Sequence, residues 1–219
     1  MIKAFLFDLD GVITDTSEYH FLAWQRLGKD LGIPFSREEN EALRGISRRK
    51  SLEILLKGRP VTEAQAQTYM ETKNNYYLEW INQMSPKNIL PGAKEMLMEL
   101  IEMGIPRAIV SVSKNAALVI QKLGIGELIN GVIDGHAPAR SKPFPDLFLL
   151  AADLFKLEPK DCLVIEDASA GIDAAHAAGM LALGLGPHSR VGHADLVLPS
   201  LEGQSAKEII KRINASDFS

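Results

Sequence analysis

The sequence predicts an α/β fold, a Rossmann-like parallel sheet core interrupted near its start by an inserted all-helical cap. Three observations carry that prediction. The apolar run from Ile2 to Phe7 ends in Asp8-Leu9-Asp10-Gly11, where a strand gives way to two carboxylates and a turn. Residues from about Ser17 to Met84 then carry helical periodicity with almost no strand-like run. From Pro91-Gly92 onward, short apolar strands alternate with helices, which is the pattern of βαβ units. The expected boundaries are 1–15 and 88–219 for the core and 16–87 for the cap.

Each element has its own signal. The first strand is short and bulky, as a strand buried in a parallel sheet should be. Within the insert, Tyr19 to Leu27, Ser51 to Leu56 and Thr62 to Met84 read as helices. Ser36-Arg37-Glu38-Glu39 and Thr62-Glu63-Ala64-Gln65 fit the capping box, so each marks a helix start. The core then reads as helix Lys94 to Met103, strand Arg107 to Val112, helix Ala116 to Leu123 and strand Val132-Ile133. Helix Leu147 to Phe155, strand Cys162 to Ile165, helix Gly171 to Ala178 and strand Leu181 to Leu185 follow. A last strand around Asp195 to Leu198 and a helix from Ala206 to Ile213 complete the series. No internal repeat or low-complexity segment breaks the pattern.

Composition narrows the function classes. A chain of 219 residues with 46% hydrophobic and 24% charged residues can bury a substantial core, which argues against disorder and against a membrane protein. With 24 basic against 28 acidic residues the net charge is -4, so no nucleic-acid partner is expected and any basic residue that matters acts locally. The lone Cys162 lies in the apolar run Cys162-Leu163-Val164-Ile165 and reads as a buried core thiol. No signal peptide precedes the first strand and no apolar stretch reaches about 18 residues, so a cytoplasmic protein with no membrane association is expected.

In an open parallel sheet, function gathers beyond the carboxyl ends of the strands. Asp8 and Asp10 follow the first strand, two apart on extended backbone and therefore on one side. Two neighbouring carboxylates repel, and a divalent cation removes the repulsion while leaving an oxygen free to attack phosphorus. Ser111 and then Ser113-Lys114-Asn115 follow the second strand, Lys142-Pro143 the third, and Glu166-Asp167 the fourth. Taken singly, Ser111 could end a strand, Lys142 could be a solvated loop lysine, and Glu166-Asp167 could serve a helix dipole. Gathered at one edge, they supply what a Mg²⁺-assisted phosphoryl transfer needs.

This order and spacing resembles the haloacid dehalogenase (HAD) superfamily of phosphotransferases. Its four motifs are matched by Asp8-Leu9-Asp10, Ser111, Lys142-Pro143 and Glu166-Asp167, and its small cap domain occupies the place of the helical insert. A narrower resemblance comes from the run Phe7 to Thr16, Glu18-Tyr19-His20, Arg44-Gly45-Ile46-Ser47-Arg48, Ser111 to Asn115, and Ser141-Lys142-Pro143. Together they are similar to the beta-phosphoglucomutase family, which interconverts beta-glucose 1-phosphate and glucose 6-phosphate through a bisphosphate intermediate.

The resemblance implies that Asp8 is the nucleophile that becomes an aspartyl phosphate and that Asp10 is the general acid and base. It implies a Mg²⁺ held by Asp8, the backbone carbonyl of Asp10 and Asp167, with Glu166 helping. Ser111 and Lys142 would bind the transferring phosphoryl group, and Thr16 and His20 would lie at the hinge that positions Asp10. Gly45, Ile46 and Arg48 on the cap, with Ser113, Lys114 and Asn115 on the core, would hold the sugar and its other phosphate. Small-molecule sugar phosphates are the expected partners and a monomer the expected state. Two positions depart from common patterns of the relatives: Ala168 stands where serine is common, and Arg44 where lysine also occurs.

Other readings remain open at this level. A Mg²⁺-dependent sugar-phosphate phosphatase would use the same Asp8 and Asp10 but admit water. A nucleotide-binding module is a distant third, because Gly184-Leu185-Gly186 lacks the third glycine of a dinucleotide fingerprint. His20, beside Phe21 and Trp24, could be a packing residue, and Trp24 with Tyr76-Tyr77 reads as cap core.

Overall fold

The computed structural model describes residues 1–216 of the chain. Strand β1 (Ala4–Phe7) is fully buried. It is followed by the helices of the insert, α1 (Ser17–Asp30), α2 (Arg37–Glu41), α3 (Arg48–Leu56) and α4 (Glu63–Ile81). The chain then runs through α5 (Ala93–Glu102), β2 (Arg107–Val110), α6 (Ala116–Leu123), β3 (Gly131–Ile133) and α7 (Asp146–Leu154). It continues with β4 (Cys162–Glu166), α8 (Ser169–Ala177), β5 (Leu181–Leu185), α9 (His188–Val191), β6 (Leu196–Leu198) and α10 (Ala206–Ser216).

All six strands are parallel, in the order β3-β2-β1-β4-β5-β6. The first strand is therefore central, and connections leave it toward both edges, which opens a crevice beyond its carboxyl end. Register brings the other strand ends to the same level, since Phe7 pairs with Ile109 on one side and Ile165 on the other.

Alternation along the strands sorts the core into two layers. Phe5, Phe7, Ile109, Leu163 and Ile165 face Met96, Leu97 and Leu100 of α5, Val119 and Leu123 of α6, and Ile209 of α10. Ala4, Leu6, Ala108, Val110 and Val164 face Leu147 and Phe148 of α7 and Ile172, Ala174 and Ala175 of α8. Small residues on the second face let α8, itself rich in alanine, approach the sheet closely. Each large side chain buried this way contributes about 1.5–3 kcal/mol before entropy is counted.

The insert has a cluster of its own, in which Phe21, Trp24 and Leu27 of α1 pack on Leu52, Leu55 and Leu56 of α3 and Ala66 of α4. Both capping boxes form, at Ser36 and at Thr62. Helix α4 serves two masters: Ala66 joins the insert cluster, while Tyr77 and Ile81 join the sheet-side core with Ala23 of α1. The outgoing and returning connections pair with each other. Thr14 bridges to Asp10 and to Ile89, its hydroxyl donates to the Asn88 carbonyl at 2.7 Å, and the Leu90 N–H donates to the Ile13 carbonyl at 2.9 Å.

Some element ends differ from the expected ones. Strand β1 stops at Phe7, so Asp8 and Asp10 lie beyond it with a bend at Leu9 between them. Gly11, at φ +87°, turns the chain there because a Cβ would lie 2.3 Å from Asp167 Oδ2. Strand β2 ends at Val110, two residues short of Val112, because the Ser111 hydroxyl accepts the Ser113 N–H and takes it from the ladder. Helix α8 begins at Ser169, earlier than Gly171, with the Ile172 N–H bonded to the Ala168 carbonyl.

Candidate active site

Three strand ends, those of β1, β2 and β4, bring Asp8, Ser111, Glu166 and Asp167 to one place, and the segment after β3 delivers Lys142 beneath them. Lys142 is 2% exposed, and burial alone would strip its charge. Its Nζ instead donates to Asp8 Oδ1 and to Glu166 Oε1, each at 2.5 Å, and to the Val110 carbonyl at 3.0 Å. Against the desolvation that lowers its pKa, these two carboxylates raise it above the ordinary lysine value. Glu166 is completed by the N–H groups of Asp167 and Ala168, both at 3.1 Å from Oε2. Ser111 is buried and closes the turn to Ser113.

Asp8, Glu166 and Asp167 offer oxygens within 4.8 Å of one another, an acidic group that could hold a metal ion among the described residues. The Asp10 side chain lies outside that group. Asp8, Asp10, Glu166 and Asp167 share the buried ammonium of Lys142, and Arg44 and Arg190 reach only Asp167 of the four, so negative charge is in surplus. Burial, then Asp8, pushes the Asp167 carboxyl up to about 6 and that of Asp10 up to about 7. Glu166 is raised by burial, which prevails over the pull of Lys142, with Asp8 and Asp167 adding to the rise. Hard oxygen donors carrying surplus charge fit a hard divalent cation.

A stability consequence follows from the sign of these shifts. The folded state holds protons that the unfolded chain releases above its ordinary carboxyl pKa, so their contribution is present at low pH. It is lost as pH rises through the folded values near 6 and 7. Metal-free protein should therefore melt lower at pH 8 than at pH 5, and Mg²⁺ should restore more at pH 8. At a hundredfold excess over its Kd a ligand adds about 2.7 kcal/mol, roughly 5–10 °C for a chain of this size. Thermal melts with chelator and with Mg²⁺ at the two pH values measure this, and an equal increment at both would contradict it.

Asp10 is held from the insert side. Thr16, the residue before α1, gives its hydroxyl to Asp10 Oδ1 instead of capping the helix. His20, one turn on, stacks on Tyr77 with centroids 4.2 Å apart, and its Nδ1 lies 2.7 Å from Lys73 Nζ. His20 thus packs on an aromatic ring, one helical turn from Thr16. Burial, then Lys73 and Arg48, lowers its pKa well below the ordinary value, so the imidazole is neutral. Lys73 is 1% exposed and caged by the Trp24 and Tyr77 rings at 4.9 and 4.8 Å. Burial followed by Arg48 lowers its pKa as well.

Insert and core close around one cleft. Asp8, Asp10, Ser111, Ser113 and Lys114 line it from the core, and His20, Gly45, Ile46 and Arg48 line it from the insert. Arg48 is half-buried and has no carboxylate partner among the described residues. Asn115 does not line the cleft: its Nδ2 donates to Asn74 Oδ1 of α4 at 2.8 Å, tying core to insert. Trp24 belongs to the insert cluster, as expected, and also presents an edge to the cleft. Tyr76 is partly buried against the sheet-side core cluster, away from the cleft, with its hydroxyl donating to Asp30 and its ring covered by Arg26.

Sequence reasoning missed four participants. Lys73 sits in the polar stretch Thr72-Lys73-Asn74-Asn75, which looks like a solvated helix face. Gly171 has no local signal, yet a Cβ there would fall 2.0 Å from Glu166 Oε1. Arg44 enters the sequence reading only within the Arg44 to Arg48 run and as a departure, with no ionic role, and Arg190 does not enter it. Both reach Asp167, Arg44 with Nη1 at 3.1 Å from Oδ2 and Arg190 with Nε at 2.6 Å from the carbonyl.

Comparison with known proteins adds to this geometry. The model of the haloacid dehalogenase-like hydrolase family matches residues 2–179. The chain is 44% identical over 201 residues to beta-phosphoglucomutase of Bacillus subtilis (strain 168), covering 90% of this chain and 89% of that protein. It is 32% identical over 206 residues to hexitol phosphatase A of Escherichia coli (strain K12), covering 91% and 92%. The crystal structure of beta-phosphoglucomutase from Clostridium difficile superposes with a TM-score of 0.96 at 37% identity, over 100% of both chains.

Proposed function

The chain belongs to the haloacid dehalogenase-like hydrolase family, and from that membership we propose that it acts as a beta-phosphoglucomutase. It interconverts beta-D-glucose 1-phosphate and D-glucose 6-phosphate through an aspartyl-phosphate enzyme and beta-glucose 1,6-bisphosphate. Asp8 attacks phosphorus with the oxygen that Lys142 leaves free, and the bond from phosphorus to the sugar oxygen breaks. Asp10 gives its proton to the leaving oxygen. In the second half, Asp10 accepts the proton of the sugar hydroxyl that attacks the aspartyl phosphate, regenerating Asp8. Ser111 and Lys142 bind the phosphoryl oxygens. Mg²⁺, held by Asp8, Glu166, Asp167 and the Asp10 carbonyl, would neutralise charge developing on the transferring group.

The observation that favours isomerisation over hydrolysis is Arg48, a guanidinium without a carboxylate partner among the described residues that lines the same cleft as Asp8. Its planar fork suits two oxygens of the phosphate that is not being transferred, while Ser113 and Lys114 face it from the core. Asn115 acts on the sugar only if the insert moves and releases Asn74. We take the insert, 16–87, as a cap that closes over the core and excludes water, hinged on the paired connections at Thr14 and Ile89. We take the protein to work as a monomer. No helix among the described residues is long and apolar enough to cross a membrane, and a buried single thiol suits a reducing cytoplasm.

The test is incubation with beta-glucose 1-phosphate, Mg²⁺ and a trace of phosphoryl donor, with glucose 6-phosphate and inorganic phosphate assayed separately. Isomerisation should dominate, and phosphate release without glucose 6-phosphate would favour the sugar-phosphate phosphatase reading. In the same assay Arg48→Ala should cut mutase turnover strongly, on the order of 10²-fold for a lost positioning contact. Phosphoenzyme formation from a small donor should persist, and hydrolysis should gain relative to isomerisation. An unchanged rate and product ratio would show that Arg48 does not hold the second phosphate.

A further inference from the structure

Arg44 and Arg190 close on Asp167 in a ring of alternating charge that joins the insert to the sheet core. Arg44 Nη1 lies 3.1 Å from Asp167 Oδ2, and its Nε lies 2.9 Å from Glu41 Oε2. Arg190 reaches the same two carboxylates from the core, Nη2 at 3.7 Å from Asp167 Oδ2 and Nη1 at 3.9 Å from Glu41 Oε2. Its Nε also donates to the Asp167 carbonyl at 2.6 Å. Beside the ring, a Cβ on Gly45 would come within 3.1 Å of the Ala168 Cβ, so insert backbone rests on the turn that carries Asp167.

Asp167 is therefore shared. Its Oδ2 is the oxygen that Arg44 binds, and its carboxylate belongs to the acidic group read above as the divalent-cation site, a reading on which this inference rests. A dication at that carboxylate sets two positive charges beside a guanidinium in a setting where Coulomb energies are several times those in water. We propose that Arg44 competes with the metal for Asp167, so that metal entry weakens the Arg44–Asp167 clasp and loosens the insert from the core. By linkage, a clasped Arg44 lowers metal affinity by the same factor. Arg190 keeps its place, because its bond to the Asp167 carbonyl does not depend on the carboxylate oxygen.

The test titrates Mg²⁺ calorimetrically into wild-type protein, Arg44→Met and Arg44→Lys. Methionine keeps most of the apolar stem and removes the charge, and should bind Mg²⁺ on the order of tenfold tighter. Lysine restores the charge and should return affinity toward wild type. A second readout is the distance between labels on Ala64→Cys in the insert and Lys160→Cys in the core, with Cys162 buried and silent. Mg²⁺ should broaden that distance distribution in the otherwise wild-type protein, and Arg44→Met should show the broad distribution without Mg²⁺. Equal affinities for wild type and Arg44→Met, or a distance unmoved by Mg²⁺, would overturn the clasp. Wild-type protein that binds no Mg²⁺ at millimolar concentration would fail at the cation site itself, a different result that also removes the clasp.

Discussion

Asp8→Asn protein should fold, bind sugar phosphate and turn nothing over. An amide is a poor nucleophile toward phosphorus, and the substitution also removes one of the three carboxylates grouped as the metal site. The fold should survive, because asparagine keeps the shape and Lys142 keeps its contacts with Glu166 and the Val110 carbonyl. Lys142 is fully enclosed, so the loss of one of its two carboxylates will register as a lower melting temperature, not as unfolding. Glucose 6-phosphate formation and phosphoenzyme, read by intact mass, should both fall below detection. A folded Asp8→Asn protein with near wild-type turnover would sink the assignment of Asp8 as nucleophile.

Asp10→Asn should lose about 10²- to 10⁴-fold in mutase turnover, the range general acid-base catalysis supplies. Burial, reinforced by Asp8, places the Asp10 carboxyl near 7, so both of its forms are populated near neutrality. Below that value it is protonated and can donate to the leaving oxygen; above it, it is ionised and can accept from the attacking hydroxyl. The wild-type rate profile should bend near pH 7 and the variant profile should not. Acetyl phosphate offers a further check, since acetate leaves without a proton and phosphoenzyme formation from it should be much less affected. A variant changed only in apparent affinity for the sugar phosphate would contradict the acid-base role.

Much of the candidate site was legible because Asp8, Ser111 and Asp167 each follow directly on a strand, while Lys142 comes from the irregular segment after β3. Asp8 after Phe7, Ser111 after Val110 and Asp167 after Glu166 are fixed by backbone continuity once the strands are recognised. Asp8 and Asp10 are expected to share a side, and both do line the same cleft, although the backbone between them bends at Leu9. The strand ends sooner, and the two carboxylates take different partners, Lys142 and Thr16. Strand ends are hard to read locally because the turn at Gly11 is set by how close Asp167 approaches it, and Asp167 lies on another strand.

The sequence alone determined the parallel α/β architecture, the helical insert and the order of the four motifs. These depend on periodicity, capping and turn residues within windows of a few residues. Only the tertiary structure decided what surrounds them: Lys73 against His20, Asn115 against Asn74, Gly171 under Glu166, and Arg44 with Arg190 around Asp167. Each of these contacts joins residues from separate elements, and a lysine or arginine on a polar helix face carries the same local signal whether it meets water or a carboxylate from another layer. The difference is made by desolvation and by the geometry of the partner, which exist only after the sheet and the insert have packed.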